Sequence, residues 1–204
     1  MYDRHSHYRA FLAITPTEDV RAQIRDLNRK FKKYGRNFRF TPLDQLHSTL
    51  QFLGNSVSGD SITMIEENIS PIVLELQGFT VRLDKLNFGF PGQNIATHSF
   101  LSIDEESELN SLTKLIHENI KSLGLIDVNK KKDHSKLINH MTIARVKGHS
   151  NRGFTREIIE FIETLKQQPL ELVVSEVKII TSIYVDNSTK YSELVSMGLK
   201  KGEN

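Results

Sequence analysis

Two tetrads, one in each half of the chain, constrain this sequence more than any other feature: His47-Ser48-Thr49-Leu50 and His140-Met141-Thr142-Ile143. Both read His-x-Thr-apolar, and both lie in stretches whose apolar and β-branched residues favour strands. Side chains i and i+2 of a strand share a face. His47 and Thr49 therefore project together, and so do His140 and Thr142. Each tetrad sets a proton carrier beside a hydroxyl donor, and two of them facing each other can grip one phosphate from both sides. A single His-x-Thr is equally a structural histidine next to a threonine chosen for strand propensity. Repetition of the pattern in matched strands is what points to chemistry.

The rest of the composition narrows the classes. The chain has no cysteine, which excludes disulfides, thiolate metal sites and a cysteine nucleophile and suits a reducing cytoplasm. A net charge of +2 over 204 residues leaves any basic footprint local. No apolar run approaches the roughly 18 residues of a membrane span, and Met1 to Arg9 has no signal-peptide core. The expectation is a soluble cytoplasmic protein with no membrane partner. His98, His117 and His149 belong to no paired motif, and His117 is expected on the exposed side of a helix. None forms a metal cluster, so neither a metal nor another cofactor is expected.

Periodicity gives a coarse order of strand, helix, strand, helix, two strands, helix, strand, helix, two strands. Arg9 to Ile14 reads as a buried opening strand. Thr15 as N-cap, Pro16 at the first helical position and Glu18 closing a capping box predict the first helix, with Val20, Ile24, Leu27 and Phe31 on its apolar face. A strand region from Phe38 to Leu53 carries the first tetrad and ends at Gly54-Asn55. Ile62, Ile65 and Ile69 predict a second helix, which Pro71 kinks or ends. Phe79–Phe88 and Ala96–Ile103 read as a hairpin around the turn Gly89–Asn94. Leu109, Leu112, Ile116, Ile120 and Leu123 line a third helix that stops at Gly124. A polar, lysine-rich loop from Asp127 to Lys136 leads into the strand Leu137–Val146 with the second tetrad. A fourth helix spans Thr155 to Lys166, and closing strands fall at Leu170–Tyr184 and Tyr191–Leu199. Each half has a helix leading into a His-x-Thr strand, and no low-complexity linker divides them. The pattern predicts an α+β fold, residues 1–204 forming one domain of two similar lobes. Each lobe would have an antiparallel sheet with outer helices, and the tetrads would face a central cleft.

Histidine titrates near neutrality, so one imidazole can accept a proton while another donates. Cleavage of a phosphodiester needs both operations. Thr49 and Thr142 can donate to the non-bridging oxygens and stabilise charge that develops in the transition state. Nothing in this design requires a metal.

On these residues the chain resembles the 2H phosphoesterase superfamily, and within it the LigT-like RNA 2′,3′-cyclic phosphodiesterases, also called the 2′-5′ RNA ligase family. Arg9-Ala10-Phe11-Leu12-Ala13-Ile14 resembles the family's opening strand, Leu46 to Gly54 its first motif with a trailing Phe-Leu-Gly, and Phe90-Pro91 its Phe-Pro turn. His140 to Arg145 resembles the second motif, and Tyr191 with Leu194 the closing Tyr-x-x-Leu. Asn139 stands where the family usually has proline, a departure expected to loosen the strand entry. The resemblance covers nearly the whole chain. It implies a bilobal fold with pseudo-twofold symmetry and His47, Thr49, His140 and Thr142 as catalytic residues. It also implies hydrolysis of a terminal 2′,3′-cyclic phosphate on RNA to a 2′-phosphate, with His140 as base for water and His47 as acid for the leaving 3′-oxygen.

Further substrate contacts are candidates. Arg145 should point away from His140 in an ideal strand and would then serve as a structural ion pair; a bend or bulge would instead bring it to the cleft edge, where its guanidinium suits a phosphate. Lys130, Lys131 and Lys132 form either a solvated loop or a contact to the RNA backbone. Tyr191, with Phe11 and Phe40, reads either as core or as a stacking surface for a terminal base. The expected partner is RNA with 2′,3′-cyclic phosphate ends or a related nucleotide, met by a monomer. The alternatives are 2′-5′ RNA ligation, cleavage of 2′-5′ oligonucleotides or cyclic nucleotides, and a nucleotide-binding module without useful turnover. Loss of a tetrad residue would favour the last, and all four are present.

Overall fold

The computed structural model describes residues 2–104, 107–125, 139–185 and 188–200. Among these the chain runs β1 (His7–Ile14), α1 (Glu18–Lys30), β2 (Phe38–Phe40), β3 (Ser48–Ser58), α2 (Gly59–Glu75), β4 (Phe79–Phe88), β5 (His98–Ile103), α3 (Glu108–Ser122), β6 (His140–Val146), α4 (Arg152–Thr164), β7 (Leu170–Val174), β8 (Glu176–Val185) and β9 (Ser188–Gly198). The class is α+β. No described helix is long and apolar enough to cross a membrane.

The strands follow one path, β7-β4-β5-β6-β3-β1-β8-β9, with β2 added to β6, and named neighbours pair antiparallel. A seam interrupts the path at its middle. β3 and β6 meet at a single register pair, Ser48 with Met141. The two expected sheets are therefore halves of one sheet, β7-β4-β5-β6 and β3-β1-β8-β9, joined at the second residue of each tetrad.

Helices cover one face of this sheet. α1 packs on β7, α4 on β4, α2 on β9 and β3, and α3 on β3 and β4. Val20, Ile24 and Leu27 of α1, Ile62, Ile65, Ile69 and Val73 of α2, and Leu109, Leu112, Ile116 and Ile120 of α3 recur at helical spacing and are buried. They join inward strand residues such as Leu12, Leu50, Met141 and Ile143 in one core. Burial of each such side chain contributes roughly 1.5–3 kcal/mol. Phe11, Ala13 and Ile180 form a second, small cluster against Tyr191. Along β1, Phe11 and Ala13 alternate with Leu12 and Ile14, so this cluster lies on the opposite face.

Several boundaries differ from the sequence expectation. α1 begins at Glu18 with Thr17 as its N-cap, whose carbonyl accepts the Arg21 N–H at 3.0 Å. Thr15 and Pro16 precede the helix. The Phe38–Leu53 region breaks after Phe40, because Pro42 has no N–H for a ladder and Leu43–Gln45 turns as a short 3₁₀ segment. β3 then continues past Gly54 to Ser58. α2 passes through Pro71 to Glu75, with Ile69 and Val73 buried on either side of it. α4 starts at Arg152 because the Asn151 side chain accepts the Phe154 N–H at 2.9 Å. The expected Leu170–Tyr184 strand is two strands in different halves: β7 pairs with β4 and β8 with β1. Leu137 and the Asp127–Lys136 loop lie outside the described residues.

Candidate active site

The seam explains how two distant tetrads come to one place. Ser48 and Met141 are register partners, and both are fully buried on the helix-covered face. By alternation, the residues flanking each of them face the other way. His47 and Thr49 from one half and His140 and Thr142 from the other accordingly line one cleft of about 680 Å³.

Each tetrad ends in a bulge. Ala13 pairs with Thr49 and Leu12 with Gln51, leaving Leu50 as the extra residue of β3. Phe100 pairs with Thr142 and Ser99 with Ala144, leaving Ile143 as the extra residue of β6. A bulge shifts the alternation by one. Beyond it, the third residue after each threonine returns to the cleft face. That residue is Arg145 in the second half and Phe52 in the first. Arg145 lines the cleft: of the two placements open to it, the Ile143 bulge selects the one at the cleft. The same bulge is anchored from β2's side: Thr41 donates its N–H to the Ile143 carbonyl at 2.9 Å and its hydroxyl to the Thr142 carbonyl at 3.0 Å.

Each tetrad histidine is held between aromatic rings. His47 lies 4.9 Å from Phe11 and 4.8 Å from Tyr191. His140 lies 4.9 Å from Phe90 and 5.2 Å from Phe100. Phe90 reaches His140 from the turn that opens at Gly89, whose φ of +83° is one that side-chain-bearing residues rarely adopt. Phe11 is 3% exposed, so it supports His47 rather than offering a stacking face. Tyr191 and Phe40 line the cleft itself.

The tautomer of His47 follows from its partner. Nδ1 lies 2.8 Å from the Gln45 carbonyl; a carbonyl only accepts, so Nδ1 carries the proton and Nε2 is left for proton exchange. Burial pushes the His47 imidazole below the usual histidine range. The Gln45 bond opposes this, while the charges of His140 and Arg145 add to it. His98 follows the same rule. An Arg145 guanidinium nitrogen donates to His98 Nε2, which leaves Nδ1 to donate to Thr97 Oγ1 at 2.8 Å. Burial, then Arg145 and His140, lowers the pKa of His98 as well.

The cleft is cationic. Arg9, Arg39, Arg145 and Lys190 line it with the two histidines, and no carboxylate among the described residues does. Arg39 and Arg145 are register partners across β2 and β6. Among the described residues, no three His, Asp or Glu side chains converge to hold a metal ion.

Arg9, Arg39 and His98 carry no local signal in the sequence. Their place depends on pairings between distant strands, and only the resemblance of the opening strand touched Arg9. His117 is not simply exposed: its Nδ1 lies 2.9 Å from Oε1 of buried Gln51 on β3. Asn139 does not loosen the strand entry. It is 4% exposed, its amide donates to Asn110 and Thr113 of α3, and its carbonyl accepts the Ile103 N–H at 2.9 Å. Lys130, Lys131 and Lys132 lie outside the described residues.

Comparison with known proteins finds similarity along nearly the whole chain. No family model matches the chain. It is 24% identical over 195 residues to an RNA 2′,3′-cyclic phosphodiesterase of Thermotoga maritima, covering 95% of this chain and 97% of that one. It is 23% identical over 190 residues to a protein of the same name from Methanothermobacter thermautotrophicus, covering 93% and 92%. Among solved structures, TT0787 of Thermus thermophilus superposes with a TM-score of 0.72 at 20% identity, over 96% of this chain and all of that one. E. coli LigT in its apo form gives 0.67 at 19% identity, over 95% and 98%. The chain therefore shares, nearly from end to end, the fold of TT0787 and LigT, and it is similar along its length to two proteins named RNA 2′,3′-cyclic phosphodiesterase.

Proposed function

We propose that the protein hydrolyses the 2′,3′-cyclic phosphate at the 3′ end of RNA to a 2′-phosphate, using His47 and His140 and no metal ion. The observation that carries this reading is the convergence of two His-Thr pairs in a cationic cleft without a carboxylate among the described residues. The names of the sequence relatives support the substrate. In this mechanism His140 takes a proton from water as its oxygen attacks phosphorus. The P–O3′ bond breaks, and His47 protonates the leaving 3′-oxygen while the P–O2′ bond stays. Thr49 and Thr142 donate to the non-bridging oxygens, and Arg145 offsets their growing charge. Burial, and after it the charges of His140 and Arg145, lower the His47 pKa; the negative charge of a bound phosphate opposes the contribution of those cations and favours the protonated form that an acid needs. The same reading makes residues 1–204 one bilobal domain, acting as a cytoplasmic monomer. The test offers purified protein a dinucleotide ending in a 2′,3′-cyclic phosphate, with a chelator present. A 2′-phosphate product is expected. A 3′-phosphate product, or turnover abolished by chelation and restored by a divalent ion, overturns the proposal.

A further inference from the structure

The cleft holds more positive charge than a single phosphate needs, and its second fixed cation is on the wall away from Arg145. Arg9 belongs to β1, in the half that carries His47, and it lines the same cleft. Three contacts hold its guanidinium. Nε donates to Asn55 Oδ1 at 3.2 Å, Nη1 donates to Ser182 Oγ at 2.6 Å, and the group lies over the Phe52 ring, 5.2 Å from its centroid. Phe52 is the residue that the Leu50 bulge returns to the cleft face, the counterpart of Arg145, and it remains 40% exposed.

The chemistry of these contacts matters. Both acceptors are neutral, and among the described residues no carboxylate forms an ion pair with Arg9. The guanidinium is therefore ordered without being neutralised. An arginine salt bridge on the surface loses its charge to its partner; this one keeps its charge and has already lost its rotamer freedom, so little further ordering is needed when an anion arrives. Each wall thus carries one braced guanidinium, Arg145 against His98 and Arg9 against Phe52, with the histidines between them.

From this charge arrangement, and resting on the proposed function, we infer that Arg9 is a subsite for the phosphodiester linkage on the 5′ side of the terminal nucleotide. The terminal cyclic phosphate occupies the histidines and Arg145. Arg9 takes the next phosphate along the strand, which makes it a determinant of preference for oligonucleotides over mononucleotides.

The test compares wild type with Arg9→Gln and Arg9→Lys on two substrates: a nucleoside 2′,3′-cyclic phosphate and a dinucleotide ending in one. Arg9→Gln is expected to raise the ratio of dinucleotide KM to mononucleotide KM about tenfold, as a charge-assisted hydrogen bond worth about 1.5 kcal/mol implies. Arg9→Lys should give a smaller rise, since it keeps charge without the fork. The slope of log affinity for the dinucleotide against log salt should fall by roughly 0.7, the value for one lost contact to a single strand. A merely structural Arg9 would leave that slope alone. A nucleoside cyclic phosphate bearing a 5′-phosphate separates the phosphate from the second nucleoside: because its phosphate sits where the linkage would, its KM should respond to Arg9→Gln as the dinucleotide's does, and a KM that follows the mononucleotide overturns the inference. Equal losses on all substrates, or an unchanged salt slope, overturn the inference. If wild type turns over none of them, the proposed function fails instead. Equilibrium binding of a dinucleotide and of a nucleoside, each ending in a 2′-phosphate, then still reads Arg9 through the same ratio and slope.

Discussion

The two halves of the sheet build their sides of the cleft by the same steps and finish them differently. Each half has a His-x-Thr strand, a bulge at the tetrad's fourth residue, and a pair of rings around the histidine. After the bulge the halves diverge. The second half returns Arg145 to the cleft, hydrogen-bonded to His98. The first returns Phe52, with Arg9 laid over it from the neighbouring strand. The shared steps place two proton carriers and two hydroxyls around one point. The differences break the symmetry of that point. A phosphodiester has an entering and a leaving oxygen, so a symmetric pair of histidines has to be told which side is which. The residues just past the bulges are where the two sides become chemically distinct.

The largest effect should come from removing the shared parts. His47→Ala and His140→Ala should each lower kcat/KM by roughly 10²–10⁴. The double variant should be little worse than either single, because the two act as a unit. Thr49→Val and Thr142→Val should each cost roughly 10²–10³, the usual effect of losing one preorganised donor. Steady-state kinetics on a cyclic-phosphate dinucleotide checks all of these. If one half tolerated its substitutions at near wild-type rates, the halves would not share the chemistry.

A smaller effect comes from making the halves alike. Arg145→Phe puts the first half's side chain at the equivalent position of the second. It should lower kcat/KM by about 10–10², the range for a charge-assisted hydrogen bond. It should also move the pH–rate profile. The Arg145 charge is one of the causes that lower the His47 pKa, so its removal raises that pKa. The limb that His47 controls should shift to higher pH. The measured values belong to the coupled pair of histidines rather than to either ring. A profile that keeps its position would separate Arg145 electrically from the first half.

The smallest effect concerns stability. His47 and His98 both have lowered pKa values in the fold. Just below the ordinary histidine value of 6.5 the unfolded chain binds these protons and the folded chain resists them. Stability is therefore full above that pH and falls as pH drops through the lowered folded values. Denaturant midpoints should decrease from about pH 7.5 to about pH 5.5, and His98→Gln should flatten the decline. An unchanged slope in that variant would mean that His98 titrates alike in both states.

How much of this was legible in the sequence depended on the range of the interaction. Local periodicity located β4 at Phe79–Phe88 and the buried stripes of α2 and α3, because those patterns repeat within a few residues. The tetrads were legible for the same reason. Boundaries shifted where one residue's backbone chemistry decided, as with Pro42 ending β2's run and Asn151 capping α4 early. Arg145 was left with two placements because a bulge leaves no mark on alternation: Ile143 looks like any inward strand residue until its partner strand is known. Arg9, Arg39 and His98 depend on register between strands far apart in the chain, and no short pattern carries that. Asn139 read as a defect against the family's proline, whereas its amide ties the strand entry to α3.

The Ser48–Met141 bridge also bears on how such a protein fails. Each histidine faces the cleft only because its neighbour faces the core, so a slip of one residue in either strand would send the imidazole inward and a core residue to water. Such a chain would have no partially active form in which the spacing is merely relaxed. Loss of catalysis and loss of the fold would be the same event seen by two probes, and the residues guarding it would be a serine and a methionine with no chemistry of their own.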